Sequence, residues 1–157
     1  MPKKTVTINP KKLSGEISIP PSKSMSHRAI IAAALSDGMS KITNVILSDD
    51  IIATINAMKN FGVEIEVQDN AGLRKTVIIK GNKTLVYTGN DIDCNESGST
   101  LRFLIPFAGL MDEEVKFTGK GKLVERPLDV YYEIFDKQNI SYRNEENKLP
   151  LVINGKL

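Results

Sequence analysis

An internal duplication limits the folds open to this chain more than any other feature. Ser24-Met25-Ser26-His27-Arg28 and Gly98-Ser99-Thr100-Leu101-Arg102 each open an apolar helical run, and aligning Ser24 with Gly98 puts Arg28 on Arg102. The same alignment brings Ile79-Lys80-Gly81 onto Ile153-Asn154-Gly155. A period of about 75 residues is too long for a solenoid repeat and predicts two related globular units.

Each unit switches between helical and strand periodicity in the same order. Thr5 to Ile8 and Glu16 to Ile19 alternate like strands, with turns at Asn9-Pro10 and Ser14-Gly15. Ser24 to Ser36 reads as a helix with Ile30, Ile31, Ala33, Ala34 and Leu35 as its stripe, stopped by Gly38. Lys41 to Ile46 is a strand. Ser48-Asp49-Asp50 then caps a helix whose Ile51, Ile52, Ile55, Met58 and Phe61 face the core until Gly62 ends it. Strands at Val63 to Val67 and Thr76 to Lys80 flank a turn at Asp69 to Gly72. In the second unit a helix runs from Ser97-Gly98-Ser99-Thr100 to about Met111, followed by a strand at Glu114 to Thr118. Pro127 opens a helix to about Gln138, and strands at Ile140 to Arg143 and Leu151 to Asn154 flank a turn. The expected class is α/β (α+β): two pseudo-repeated βαβαββ units with helices packed against mixed β-sheets. They occupy about 16–81 and 85–155 of one domain spanning 1–157.

With 157 residues, 41% hydrophobic and 25% charged, the chain can bury one good core or two small ones. A net charge of +2, with scattered Lys and Arg and no basic-aromatic interleaving, argues against a nucleic-acid partner. Cys94 is the only cysteine, which fits a reducing compartment and a small buried side chain rather than a nucleophile. The longest apolar stretch, Ala29 to Leu35, is too short to span a membrane, and a soluble, cytoplasmic protein is expected.

The chemistry concentrates at Pro20-Pro21-Ser22-Lys23-Ser24-Met25-Ser26-His27-Arg28. The prolines cannot continue a helix backward, and Ser22 or Ser24 caps the one that follows. Its free first-turn N–H groups favour a phosphate or carboxylate. Lys23 adds a point charge, and Arg28 adds a planar fork on the same helix face as Ser24. A well-capped helix with solvated basic residues explains the same pattern. The second helix start, with Arg102, would converge on the same surface if the units are related by pseudosymmetry; a carboxylate partner for Arg102 is the alternative. Arg126, in Glu125-Arg126-Pro127, either joins that surface or forms an ordinary ion pair. His27 is expected on the helix surface, and Asp49-Asp50 is explained by capping. One histidine excludes a two-histidine zinc motif, and no phosphate-loop, dinucleotide or nucleophile-elbow motif occurs.

Three motifs in order resemble the 5-enolpyruvylshikimate-3-phosphate synthase family. They are Pro21-Ser22-Lys23-Ser24-Met25-Ser26-His27-Arg28, Glu96-Ser97-Gly98-Ser99-Thr100-Leu101-Arg102 and Glu125-Arg126-Pro127-Leu128, with Leu47-Ser48-Asp49-Asp50 between the first two. The resemblance implies transfer of the enolpyruvyl group of phosphoenolpyruvate to the 5-hydroxyl of shikimate 3-phosphate, releasing phosphate, with no metal or organic cofactor. It implies that Lys23, Ser24 and Arg28 hold shikimate 3-phosphate. Lys23, Gly98 and Arg126 would hold phosphoenolpyruvate, with Lys23 catalytic between both substrates. The family's inhibitor glyphosate would compete at Lys23, Gly98 and Arg126.

Two residues depart from the family pattern: Glu96 stands where many members have asparagine, and Phe103 where several have proline. Members have two similar halves of three such units each. The resemblance therefore implies an incomplete N-terminal half whose partner is the C-terminal half of the same enzyme. Such a chain is expected to be inactive alone, with Met1 to Ser14 poorly anchored because the family's first strand crosses to the other half. Two other functions compete. One is a non-catalytic module binding phosphorylated metabolites. The other is the sister enolpyruvyl transferase acting on UDP-N-acetylglucosamine, which usually carries a cysteine in the stretch that here runs from Gly119 to Pro127 without one.

Overall fold

Three serines at matching positions set the first three helices. The computed structural model describes residues 5–70 and 72–155. Helices α1 (Lys23–Ala34), α2 (Asp49–Asn60) and α3 (Gly98–Ala108) are capped by Ser22, Ser48 and Ser97. Each serine hydroxyl accepts from the backbone N–H three residues on, at 3.3, 3.4 and 3.1 Å. Such a cap is worth about 1 kcal/mol. Helix α4 (Asp129–Gln138) has no side-chain cap and starts two residues after Pro127 rather than at it. At the other end of α2, Gly62 takes φ +80°, Val63 N–H reaches Met58 O and Gly62 N–H reaches Lys59 O. That pair of bonds closes the helix C-terminus with glycine in the left-handed conformation.

The strands form two sheets of related topology. Strands β1 (Gly38–Ile46), β2 (Glu64–Asp69) and β3 (Arg74–Gly81) make an antiparallel sheet in the order β1-β3-β2. A bulge interrupts β1 between Ile42 and Val45, where Asn44 has φ +61°. Strands β4 (Ile92–Asp93), β5 (Val115–Thr118), β6 (Ser141–Glu145) and β7 (Lys148–Asn154) make the second sheet, in the order β4-β5-β7-β6. Here β4 runs parallel to β5 and the other pairs are antiparallel. Thus β5-β7-β6 repeats β1-β3-β2, and α3 and α4 stand where α1 and α2 stand in the first unit. Glu146 and Asn147, both at positive φ, make the two-residue turn between β6 and β7 that matches strand twist.

The helices meet between the units. Helix α1 packs on β1, β3, α2 and α3, and α2 packs on α3 and β4. Leu101, Leu104, Ile105 and Ala108 of α3 are fully buried. Each large one contributes on the order of 1.5–3 kcal/mol relative to exposure. One apolar cluster runs from Val77 and Ile79 in the first sheet to Val115, Phe117, Leu151 and Ile153 in the second. Among the described residues no helix is long and apolar enough to cross a membrane.

Three expectations are corrected. Thr5 to Ile8 and Glu16 to Ile19 do not form strands, and Ile8 and Ile17 are 85% and 86% exposed. Alternation supplies a face but not a ladder, and a strand without a neighbour to bond has nothing to hold it. Ile52 is 40% exposed because the buried line of α2 runs through Ile51, Ile55 and Met58, one residue out of phase with it. Leu35 ends α1 as its half-exposed C-cap instead of joining the stripe.

Candidate functional site

The start of α1 is built as its sequence predicts, with Ser22 rather than Ser24 as the cap. Ser22 O accepts from Ser26 N–H at 3.0 Å and from Ser26 Oγ at 3.1 Å, which rigidifies the first turn. Ser24 is thereby left exposed, its hydroxyl bonded to none of the described residues. Arg28 lies back along the helix, its Nη1 donating to Ser24 O at 3.1 Å. Its guanidinium sits 5.1 Å from the centroid of the Phe103 ring, a cation–π contact from one unit to the other. Lys23 Nζ reaches Asp50 Oδ2 of α2 at 2.6 Å, with the two side chains 55% and 28% exposed. An exposed pair of this kind is worth about 0–1 kcal/mol, so it orients Lys23 without competing strongly with an incoming anion.

The start of α3 supplies the second half of the site. Gly98 is buried, and a Cβ built there would lie 2.5 Å from Arg126 Nη1 and 3.0 Å from Arg102 Nη1. Two guanidinium groups from different elements therefore converge on one glycine. Tyr131 of α4 donates its hydroxyl to Arg102 O at 2.9 Å, tying the fourth helix to the same place. Beside it opens a cleft of about 300 Å³ lined by Arg102, Pro127, Leu128, Asp129, Val130 and Tyr131.

Buried polar side chains hold the two starts side by side. Thr54 of α2 bonds Thr100 of α3 at 2.7 Å, and His27 Nδ1 of α1 lies 2.7 Å from Thr54 Oγ1. The surface placement expected for His27 is wrong: it is fully buried. At this end α1 packs on both α2 and α3, so a position that a lone helix would expose faces neighbours. Burial pushes the imidazole pKa below its usual value, Asp50 opposes that shift, and Lys23 and Arg28 add to it.

The charge balance favours anions. Among the described residues, none of the ion pairs the structure shows engages Arg28, Arg102 or Arg126. The carboxylate-partner alternatives for Arg102 and Arg126 are therefore not what the structure contains. Unpaired guanidiniums beside two helix N-termini form a cationic face suited to planar, multiply charged oxygens. Among the described residues Glu96 makes no ion pair with these arginines, and its carboxylate lies beside Gly121, the first residue of the 3-10 turn after β5. Another cleft, about 210 Å³, carries Asp49, Asp91 and Asp93 against a single lining cation, Lys120, and so offers an anion less than the arginine face does. Among the described residues no group of three or more His, Cys, Asp or Glu is placed to hold a metal ion. Cys94 is buried, and desolvation, with the Asp93 carboxylate adding to it, pushes its thiol up to about 12. The thiol stays protonated.

Sequence reasoning brought Lys23, Ser24, Arg28, Gly98, Arg102 and Arg126 to attention. It missed Asp50 as the partner of Lys23, Phe103 as the platform under Arg28, and the threonine pair between the helices. These contacts join residues far apart in the chain, so no local spacing announces them.

Comparison with known proteins identifies the family. The family model described as EPSP synthase (3-phosphoshikimate 1-carboxyvinyltransferase) matches residues 8–157. The chain is 56% identical over 154 residues to the 3-phosphoshikimate 1-carboxyvinyltransferase of Clostridium kluyveri, covering 98% of this chain and 35% of that protein. The Clostridium novyi protein of the same name is 54% identical over 156 residues, covering 97% of this chain and 36% of the relative. Among solved structures, EPSP synthase from Acinetobacter baumannii superposes with a TM-score of 0.78 at 26% identity, over 90% of this chain and 32% of that one. The chain thus spans 35–36% of the length of these two curated relatives. With a match that takes in both helix starts and the Arg126 loop, the chain belongs to the EPSP synthase (3-phosphoshikimate 1-carboxyvinyltransferase) family.

Proposed function

We propose that this chain forms the two-anion cradle of an enzyme that transfers the enolpyruvyl group of phosphoenolpyruvate to the 5-hydroxyl of shikimate 3-phosphate, releasing phosphate. The observation that carries the proposal is three arginines outside every ion pair among the described residues, Arg28 and Arg102 on two adjoining helices and Arg126 converging on the second helix start. Ser24 and Arg28 hold shikimate 3-phosphate. Gly98 lets phosphoenolpyruvate approach the backbone, and Arg126 grips its anion. Lys23, poised by Asp50, lies between the two and stabilises charge as the new bond forms. Glyphosate would occupy the Lys23, Gly98 and Arg126 part of the cradle.

The chain's own groups bind and orient; they do not complete a proton-transfer pair. Asp50 pairs weakly with Lys23, and His27 is buried with its proton affinity lowered. We therefore assign turnover to the whole enzyme, with the rest of the same protein as this chain's partner, and substrate binding to this chain. The protein would act in solution in the cytoplasm.

An NMR titration with shikimate 3-phosphate, with shikimate and inorganic phosphate as controls, tests the assignment. Saturable shifts at Ser24, Arg28 and the first turn of α1, weak with shikimate, are expected. Arg28→Ala should lower the affinity at least tenfold, the effect of losing a charge-assisted contact of about 1.5–3 kcal/mol. A well-folded spectrum that ignores shikimate 3-phosphate, or responds equally to shikimate, overturns it.

A further inference from the structure

Four side chains make an unbroken buried polar chain between the two helix starts. His27 Nδ1 lies 2.7 Å from Thr54 Oγ1, Thr54 Oγ1 lies 2.7 Å from Thr100 Oγ1, and Thr100 Oγ1 donates to Ser97 Oγ at 2.7 Å. All four residues are 0% exposed. Asp50 O, in the first turn of α2, lies 3.4 and 3.3 Å from the two threonine hydroxyl oxygens, farther than the 2.7 Å contacts along the chain that compete for the same protons. Each α-helix that contributes to the anion face is therefore bonded to the next.

Packing alone does not call for these groups. A buried hydroxyl left without a partner costs about 1–3 kcal/mol, and apolar side chains of the same shape would fill the space without that exposure to loss. Directional bonds do what apolar contact cannot: they fix one register of α1 against α3 instead of allowing a range of sliding positions.

The donors also run in one direction. Ser97 Oγ accepts from Thr100 N–H at 3.1 Å as the helix cap and accepts from the Thr100 hydroxyl. A hydroxyl has one proton, so Thr100, giving its own to Ser97, is left to accept from Thr54, and Thr54 in turn to accept from an Nδ1–H on His27. That order leaves His27 Nε2 as a lone pair, and Nε2 is the buried ring atom without a partner among the described residues.

We propose that His27, Thr54, Thr100 and Ser97 are positioning residues that lock the start of α3 to the start of α1, and so set Gly98 and Arg102 at a fixed distance from Ser24 and Arg28. None of the four needs to touch substrate. The proposal rests on the two-anion reading above, in which both substrates must be presented in one geometry.

The test uses this chain with Thr54→Val, which removes the hydroxyl, and Thr54→Ser, which keeps it. Nitrogen-15 NMR of the His27 ring and amide hydrogen exchange are measured without ligand, and shikimate 3-phosphate is then titrated. The unsubstituted chain should show the proton on Nδ1. Thr54→Val should speed exchange at Ser26 and Leu101, whose amides bond the first turns of α1 and α3, by tenfold or more relative to Ile79 and Ile153. It should weaken shikimate 3-phosphate about three- to tenfold, and Thr54→Ser should restore both properties.

A proton on Nε2 in the unsubstituted chain overturns the directed network without any variant, even if Thr54→Val fails to fold. Uniform acceleration across all amides, or no rescue by serine, overturns the positioning role. If the exchange results hold while no form of the chain binds shikimate 3-phosphate, the substrate assignment is what has failed, and the lock between helix starts stands.

Discussion

Replacing Gly98 by alanine separates the binding face from the fold more cleanly than any other substitution here. The new Cβ would lie 2.5 Å from Arg126 Nη1 and 3.0 Å from Arg102 Nη1. Ordinary contact begins near 3.4 Å, so the Arg126 head must retreat by roughly 1 Å and the Arg102 head by less than half that. Both atoms end flexible side chains, so the backbone need not move. Gly98 is the first residue of α3, where alanine is tolerated at least as well as glycine although the full interior preference does not apply. The melting temperature should therefore hold within a few degrees. An anion gripped by Arg126 would lose a charge-assisted bond of about 1.5–3 kcal/mol, a roughly ten- to 150-fold fall in affinity. Thermal melting and calorimetric titration with phosphoenolpyruvate in the presence of shikimate 3-phosphate read the two effects separately. A drop of several degrees would show that the backbone, not the guanidinium, gives way. Undiminished affinity in a stable variant would refute the assignment of Gly98 and Arg126 to the anion.

Two further outcomes follow from buried groups. His27 has a lowered pKa in the folded chain, so the unfolded chain binds the proton more readily; its contribution to stability is intact above the ordinary histidine value of 6.5 and is lost as pH falls below it toward the folded value. Denaturant midpoints measured from pH 8 to pH 5 should decline in that window by at most about 1.4 kcal/mol per unit, and His27→Asn should remove the decline attributable to this group. Ser48→Ala deletes the α2 cap; about 1 kcal/mol of stability should go, and because Asp50 in that first turn only orients Lys23, shikimate 3-phosphate affinity should fall no more than a few-fold.

Legibility from the sequence followed the range of the interactions involved. Helix starts were readable because the three caps span three residues, and Gly62 was readable because its conformation excludes most other side chains. The duplication was readable from the spacing of two arginines, and the two sheets repeat each other as it implied. What failed was whatever depended on a neighbour distant in sequence. Glu16 to Ile19 has the alternation of a strand, yet pairing requires an edge that the pattern cannot supply. His27 has the spacing of a surface residue, yet α2 and α3 close over it. Lys23, Arg28 and Arg126 were flagged by charge and by family motif, whereas Asp50 and Phe103 owe their part to the packing of one unit on the other.

The outer edge of β1 bears on whether the chain stays dispersed in solution. Among the described residues no strand bonds that edge, although the matching edge of β5 is covered by β4. A free nine-residue edge carrying Ile42 and Val45 invites strand addition by a second molecule. Lys41 and the kink at Asn44 interrupt it midway, so an approaching strand meets a charge and a break in the hydrogen-bond ladder instead of a continuous template. The bulge thus acts as a guard against aggregation, at the side of the molecule's first sheet where its duplicated partner is sealed by a strand of its own.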